Sequence, residues 1–138
     1  MMLLLREVDF SQTRKNARYV LKNYRRLERI AGRSKIDVRS PIITDMPRTP
    51  SNGNKSEDAF IQRLDAETER DAIIVALMAL KLTSRQILHY SFCLQDQYSN
   101  LRIADEMGYS VRQIERMKSD ALVEFAESYR RGKLVAYR

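Results

Sequence analysis

Two arginines, Arg112 and Arg116, lie four positions apart in a segment with helical periodicity. This spacing places both side chains on one face of a helix, one turn apart. A guanidinium group can donate two parallel hydrogen bonds to O6 and N7 of guanine, and a glutamine can pair in the same way with N6 and N7 of adenine. Together with Gln113, the two arginines are therefore the candidate base-reading residues of the chain.

Several further side chains are suited to contact a phosphate backbone, which accepts hydrogen bonds and attracts cations. These candidates are Arg85, Arg102, Lys118 and Ser110. Ser110 followed three residues later by Gln113 also predicts a capping box, in which the glutamine side chain bonds to the backbone at the helix start. Because that role competes with base contact, Arg112 and Arg116 are the stronger base-reading candidates.

The residues before this helix predict a second helix that crosses it at a tight turn. Ser99 is a predicted N-cap for a helix from Asn100 to Met107, and Gly108 can adopt the positive φ that ends it. The following helix, capped by Ser110, is predicted to run to about Tyr129. A helix-turn-helix needs a small residue for the close crossing and apolar residues for a shared core. The seven positions that match this pattern are Ile103, Ala104, Met107, Gly108, Tyr109, Ile114 and Met117.

Three further helices are expected before this pair. An apolar stripe predicts a helix from about Phe10 to Ala31, with Asp9 and Gln12 in a capping box and Gly32 as its left-handed end. A second helix is expected from Glu57 to Leu80 with Ser56 as N-cap. A third is expected to open with a capping box of Thr83 and Gln86 and to run to about Leu94, with Ile87, Leu88 and Ser91 facing inward.

The sequence therefore predicts an all-α protein with four parts. Residues 1–35 form a basic N-terminal helix, residues 36–56 an irregular linker with three prolines, residues 57–81 a central helix, and residues 82–138 a helix-turn-helix DNA-binding domain. The central helix ends in an apolar run from Ile73 to Leu80, which must be buried on several sides. This run could pack on the C-terminal domain, on the N-terminal helix or on a second copy in a homodimer.

The net charge of +7 is concentrated at one end of the chain, because residues 1–35 hold ten basic and three acidic side chains. Such a basic element is typical of an arm that contacts nucleic acid, although it could instead pair with the acidic central segment. The possible accessory DNA contacts are Arg14, Lys15, Arg18, Lys22, Arg25 and Arg26.

The composition argues against several other classes. One cysteine, Cys93, and one histidine, His89, cannot form an internal disulfide or a Cys/His zinc site. No set of nucleophile, base and orienting residue is evident, so we expect no enzyme, no cofactor, no metal site and no small-molecule substrate. The apolar run at residues 1–5 is too short for a signal peptide or a membrane span, and a cytoplasmic protein without a membrane partner is expected.

Two resemblances extend this interpretation. The segments LTSRQIL (82–88), IADEMGYSVRQI (103–114) and AL (121–122) resemble the promoter-reading C-terminal domain of sigma factors, known as region 4. Val111 stands where that domain commonly has an arginine, and Arg116 stands where it commonly has a glutamine, which implies a different target sequence.

The whole chain resembles the ArpU family of small phage and prophage transcriptional regulators. Its N-terminal part contributes Asp9 with Thr13 and the phrase YRRL (24–27), and the linker contributes SPIITDMPR (40–48). The resemblance implies an activator of phage late or mobile-element genes that binds double-stranded DNA in the cytoplasm of a bacterial host. The alternative is a sigma-like adaptor that binds RNA polymerase and for which DNA contact is secondary.

Overall fold

The computed structural model describes residues 6–36 and 53–138, so most of the predicted linker, residues 37–52, lies outside the described residues. The described residues are mostly helical, and their only β-pairing is an isolated bridge between Val8 and Tyr137. The prediction of an all-α protein is confirmed for this part of the chain. The helices are α1 (Phe10–Lys22), α2 (Tyr24–Ile36), α3 (Gly53–Met78), α4 (Leu82–Leu88), a π-helix (His89–Cys93), α5 (Asn100–Met107), α6 (Val111–Ser128) and a 3₁₀ turn (Tyr129–Arg131).

The chain forms two compact units. The first contains the residues up to Arg25 together with Ala72–Arg138, and the second is Arg26–Asp71. The predicted boundaries at residues 35, 56 and 81 differ from this division. The reason is that α1 packs directly against α6, so the N-terminal helix shares a core with the C-terminal helices.

Helix α6 is the centre of the first unit, because α1, α4 and α5 all pack against it. Leu122 and Phe125 of α6 are fully buried, as are Ala17 and Leu21 of α1 and Ile87 of α4. Full burial of a large apolar side chain contributes about 1.5–3 kcal/mol. These contacts hold the helices that carry the candidate site in a fixed arrangement.

The start of α1 agrees with the sequence in part. The Asp9 carboxylate accepts a hydrogen bond from the Gln12 N–H at 3.1 Å, which confirms the predicted N-cap. The Gln12 side chain donates to Asn16 Oδ1 at 2.9 Å, so the second half of the predicted capping box is wrong. The Asp9 N–H, which would donate to the Gln12 side chain in a capping box, donates instead to Ala136 O at 2.9 Å.

The predicted single helix from Phe10 to Ala31 is also wrong, because α1 ends at Lys22 and α2 continues from Tyr24 to Ile36. At the junction the Asn23 side chain donates to the Tyr19 carbonyl at 2.9 Å, and the Asn23 N–H bonds to Val20 O at 3.1 Å. A side chain that bonds back to its own helix competes with the regular backbone ladder. Gly32 lies within α2 and does not end it.

Helices α3 and α4 begin earlier than predicted. Helix α3 starts at Gly53, so Ser56 lies inside the helix and is not its N-cap. Helix α4 starts at Leu82, because Lys81 already has the extended conformation of an N-cap residue, and the predicted capping box of Thr83 and Gln86 is wrong. Beyond Leu88 the chain continues as the π-helix, and the predicted burial of Ile87, Leu88 and Ser91 is confirmed.

The apolar run at the end of α3 is divided between the core and the surface. Ile73, Ala76, Leu77 and Leu80 are buried, whereas Val75 and Met78 are 69% and 59% exposed. None of the helices in the described residues is long and apolar enough to cross a membrane. Within residues 6–36 and 53–138, no three His, Cys, Asp or Glu side chains are grouped in a way that could hold a metal ion.

The C-terminal segment is hydrogen-bonded to α1 and to the residue before it. After α6 the chain reverses through Arg130, Arg131 and Gly132, with φ values of 46°, 62° and 84°. The Ala136 N–H then donates to the Thr13 hydroxyl at 2.9 Å, and the Asp9 N–H donates to Ala136 O at 2.9 Å. These hydrogen bonds between the C-terminal segment and the start of α1 were not predicted from the sequence.

Candidate nucleic-acid interface

The turn between α5 and α6 has the predicted local geometry. The Ser99 hydroxyl accepts from the Arg102 N–H at 3.2 Å, which confirms the N-cap of α5. Gly108 ends α5 with a φ of 78°, and the N–H groups of Gly108 and Tyr109 both donate to the Ala104 carbonyl, at 2.9 and 3.1 Å. The two helices are thus joined by only three residues, Gly108 to Ser110.

A shared core lies behind this turn. Ile103 and Ala104 of α5, Ile114 of α6 and Ile87 of α4 form one buried cluster. Partly buried side chains surround it: Tyr90, Tyr98, Met107, Tyr109, Val111 and Met117. The predicted contact between the apolar residues of the two helices is therefore confirmed, and α4 contributes to it as well.

The predicted capping box at the start of α6 is complete. The Ser110 hydroxyl accepts from the Gln113 N–H at 3.1 Å, and Gln113 Oε1 accepts from the Ser110 N–H at 3.1 Å. Both side chains are exposed, but both already have a backbone partner. The structure thus gives Ser110 and Gln113 a role in starting the helix.

The two candidate base-reading arginines lie on the exposed face of α6. Arg112 and Arg116 are exposed together with Glu115, whereas Ile114 between them is fully buried. Four residues of α-helix separate the two arginines by about 6 Å along the axis. This face is convex and cationic at two positions one turn apart, a geometry that can enter a groove of duplex DNA.

Arg102 is held at the start of α5 by an aromatic stack. Its guanidinium carbon lies 3.9 Å from the centroid of the Tyr98 ring, and Tyr98 stacks on Tyr90 with a centroid distance of 5.0 Å and an interplanar angle of 4°. A cation over an aromatic face is stabilised by the ring quadrupole. Tyr98, directly before Ser99, is the sequence signal that could have indicated this support.

Lys118 lies on the packed side of α6, away from the exposed arginines. Its ammonium donates to Asn100 Oδ1 at 3.3 Å and lies 5.4 Å from the centroid of the Phe92 ring. Burial lowers the pKa of Lys118, and the positive charge of Arg18 on α1 lowers it further. Among the residues that the structure describes, no carboxylate forms an ion pair with this lysine. The Lys118 ammonium therefore lies beside the first residue of α5, where the helix dipole is positive, and the charge of Arg18 adds to the repulsion.

The basic residues of α1 form a row beside its buried stripe. Arg14, Arg18 and Lys22 follow one another at intervals of four, with Lys15 exposed nearby. Like charges at this spacing repel one another. Arg25 lies just after α1 in the first unit and is half-buried, whereas Arg26 is exposed and belongs to the second unit.

Arg85 has different surroundings from the other predicted phosphate contacts. Its Nη2 donates to the Leu80 carbonyl at 3.2 Å, and its Nε is buried without a hydrogen-bond partner. The side chain forms part of the wall of a cavity, together with residues of α3 and of the π-helix. Its guanidinium group is thus engaged at the end of α3.

Comparison with known proteins finds similarity over almost the whole chain. A protein of Enterococcus hirae is 68% identical over 137 residues, which cover 99% of this chain and 100% of the relative. A protein of Streptococcus phage O1205 is 32% identical over 138 residues, with coverage of 99% and 100%. Both bear the name "Putative autolysin regulatory protein ArpU". No family model matches the chain, and no solved structure matches it.

Proposed function

The chain belongs to the ArpU family of autolysin regulatory proteins, and from this premise we propose that it regulates transcription by binding double-stranded DNA at specific sequences. In this proposal α5, the Gly108 turn and α6 act as a helix-turn-helix, and α6 enters the major groove. The process under control is the production of an autolysin, in keeping with the name of the relatives.

One observation carries this proposal: a tight, glycine-ended turn presents an α-helix whose exposed face has arginines one turn apart. Arg112 and Arg116 are exposed at the N-terminal end of α6, where helix-turn-helix proteins contact base edges. In the proposed complex both arginines pair with guanine O6 and N7. Gln113 contributes through its capping box, which fixes the start of the helix.

Contact with phosphate is assigned to cations that form no ion pair with a carboxylate in the part of the chain that the structure describes. A half-buried lysine next to an arginine is electrostatically unfavourable in the free protein, and a phosphate oxygen between them would offset that cost. Lys118, Arg18 and Arg102 are therefore the proposed backbone contacts, with Arg14 and Lys22 extending the surface along α1. We leave Arg85 out of the DNA surface, because its side chain forms part of the wall of a cavity.

Several finer statements stay predictions. They are activation of phage late or mobile-element genes, a sigma-like helix-turn-helix, contact with RNA polymerase, homodimerisation and a cytoplasmic location in a bacterial host. The main proposal requires direct binding to DNA. The alternative is an adaptor that binds RNA polymerase, for which DNA contact is secondary.

The test is a footprint of the full chain on the DNA next to its own gene, recorded at several salt concentrations. We expect a discrete protected site whose affinity falls steeply as salt is raised, because each neutralised phosphate releases counterions. Absence of a protected site at any salt concentration, together with retention on immobilised RNA polymerase, would support the adaptor instead.

A further inference from the structure

A cavity of about 480 Å³ lies within the first unit, at the junction of α3, α4 and the π-helix. Sites for small molecules in proteins commonly have volumes of about 300–1,000 Å³. The residues that line the cavity are Tyr24, Ile74, Leu77, Met78, Arg85, Gln86, His89, Tyr90 and Cys93. The proposed DNA-binding function makes no use of this cavity.

The lining combines apolar walls with one permanent positive charge. Ile74, Leu77 and Met78 form the α3 side, whereas Arg85 and Gln86 supply hydrogen-bond donors from α4. Among the described residues that line the cavity there is no Asp or Glu, so none of them neutralises the Arg85 guanidinium group. Charge complementarity thus favours a ligand with an apolar body and a negative group.

The backbone on one side of the cavity is unusual. His89, Tyr90 and Cys93 all come from the π-helix, a rare conformation that is frequent at functional sites. In the same segment the Ser91 hydroxyl is buried without a hydrogen-bond partner, and so is Nε of Arg85. An unsatisfied buried polar atom costs free energy, and of these two atoms the Arg85 Nε belongs to a residue of the cavity wall, which is independent support for a ligand site.

We propose that this cavity binds a small amphipathic anion, with the apolar body against Ile74, Leu77 and Met78 and a carboxylate-like group held by Arg85. The proposal goes beyond the DNA-binding function and does not depend on it, since occupation of the cavity can be measured without DNA. The ligand binds reversibly and undergoes no reaction.

The experiment titrates the full chain with two fluorescent probes of similar shape. One is 8-anilinonaphthalene-1-sulfonate, which carries an anionic group, and the other is N-phenyl-1-naphthylamine, which lacks it. We expect saturable binding of both probes at one site per chain. The substitution Arg85→Gln is expected to weaken binding of the sulfonate about tenfold, the value of one charge-assisted hydrogen bond, and to change binding of the neutral probe less than about twofold.

The matched control is Lys81→Gln, which removes the same charge from the residue before α4 without altering the cavity wall. It is expected to leave both affinities unchanged. A second variant, Met78→Trp, is expected to block both probes, and it should fold because Met78 is 59% exposed. This variant keeps the proposal testable if Arg85→Gln does not fold.

Three outcomes would overturn the proposal. The first is a lack of saturable binding, and the second is an equal loss of sulfonate binding in Arg85→Gln and Lys81→Gln. The third is that neither probe binds and that sedimentation shows self-association of the native chain, which Met78→Trp abolishes. This result would assign the cavity to a second copy of the chain.

Discussion

Ser110 and Gln113 exchange hydrogen bonds at the start of α6, where each side chain pairs with the other residue's backbone N–H at 3.1 Å. This reciprocal pairing fixes the direction in which α6 leaves the turn. It also occupies the glutamine side chain that would otherwise be free to read a base. In the proposed complex, base recognition therefore depends on Arg112 and Arg116, one turn apart on the exposed face.

The first prediction concerns Gln113. Gln113→Ala removes half of the capping box, and we expect a loss of about 1 kcal/mol in the free energy of unfolding, as for other cap deletions. The preference for each base pair of the DNA site should be unchanged. Urea denaturation measures the first effect, and binding to singly substituted sites measures the second. A change of preference confined to one base pair would show instead that Gln113 leaves the cap and reads DNA.

The second prediction concerns Lys118, whose pKa is lowered by burial and by Arg18. Lys118→Met removes a desolvated charge but keeps most of the apolar stem, so we expect a more stable protein at neutral pH and weaker DNA binding. Thermal unfolding and DNA affinity are measured on the same preparation. Lys15→Met, on the exposed face of α1, is the control and should change stability little.

The same lysine predicts a pH dependence. Because the pKa of Lys118 is lower in the folded protein than the usual 10.5, the unfolded chain binds more protons between the two values. The contribution of Lys118 to the free energy of unfolding therefore increases with pH between its folded-state and unfolded-state pKa values. The difference in unfolding free energy between the native chain and Lys118→Met should shrink as pH approaches 10.5. A difference that is constant with pH would contradict the assignment.

The third prediction concerns Thr13, which is fully buried and accepts from the Ala136 N–H at 2.9 Å. Thr13→Val keeps the shape and removes the acceptor, so the partly buried Ala136 N–H loses this partner. We expect a loss of about 1–3 kcal/mol in the free energy of unfolding. Ser11→Ala, at an exposed position two residues earlier, is the control. Equal urea midpoints for both variants would show that the C-terminal segment does not hold α1 in place.

The fourth prediction concerns Gly108, whose φ is 78°. A Cβ at this position would meet no atom within 4 Å, so the cost of a side chain comes from the backbone conformation alone. Gly108→Ala is expected to lower stability by about 1–2 kcal/mol, and Gly108→Asn by less, because asparagine tolerates the left-handed region better. Equal losses for the two variants would indicate a steric cause instead.

The α5–α6 region could be predicted from the sequence because its determinants are local. Each capping residue, Ser99, Gly108 or Ser110, forms a hydrogen bond with a residue three or four positions away. The core residues Ile103 and Ile114 are only eleven positions apart. The caps at Ser56 and Thr83 were misplaced, because one helix already begins at Gly53 and the extended backbone of Lys81 starts the other at Leu82. The candidate arginines were predicted correctly as exposed, but their partners in DNA stay a prediction.

Other features depend on contacts that are distant in the sequence. Thr13 bonds to Ala136, and Asn16 donates to the Leu134 carbonyl at 3.0 Å, more than a hundred positions away. No periodic pattern indicates such a partner. The packing of α1 on α6, which brings Arg18 towards Lys118, also joins residues distant in the sequence and was not predicted. The π-helix likewise has no recognisable signal in the residues His89–Cys93.

The most direct test of the central claim is the affinity of Arg116→Ala and Arg112→Ala for the footprinted site and for each singly substituted version of it. The account predicts that each variant loses about 1–3 kcal/mol on the native site and no longer discriminates at one base pair. Arg63→Ala, an exposed arginine on α3, should behave like the native chain. Unchanged affinity together with unchanged base preference in both Arg112→Ala and Arg116→Ala would contradict the claim that this face of α6 reads DNA.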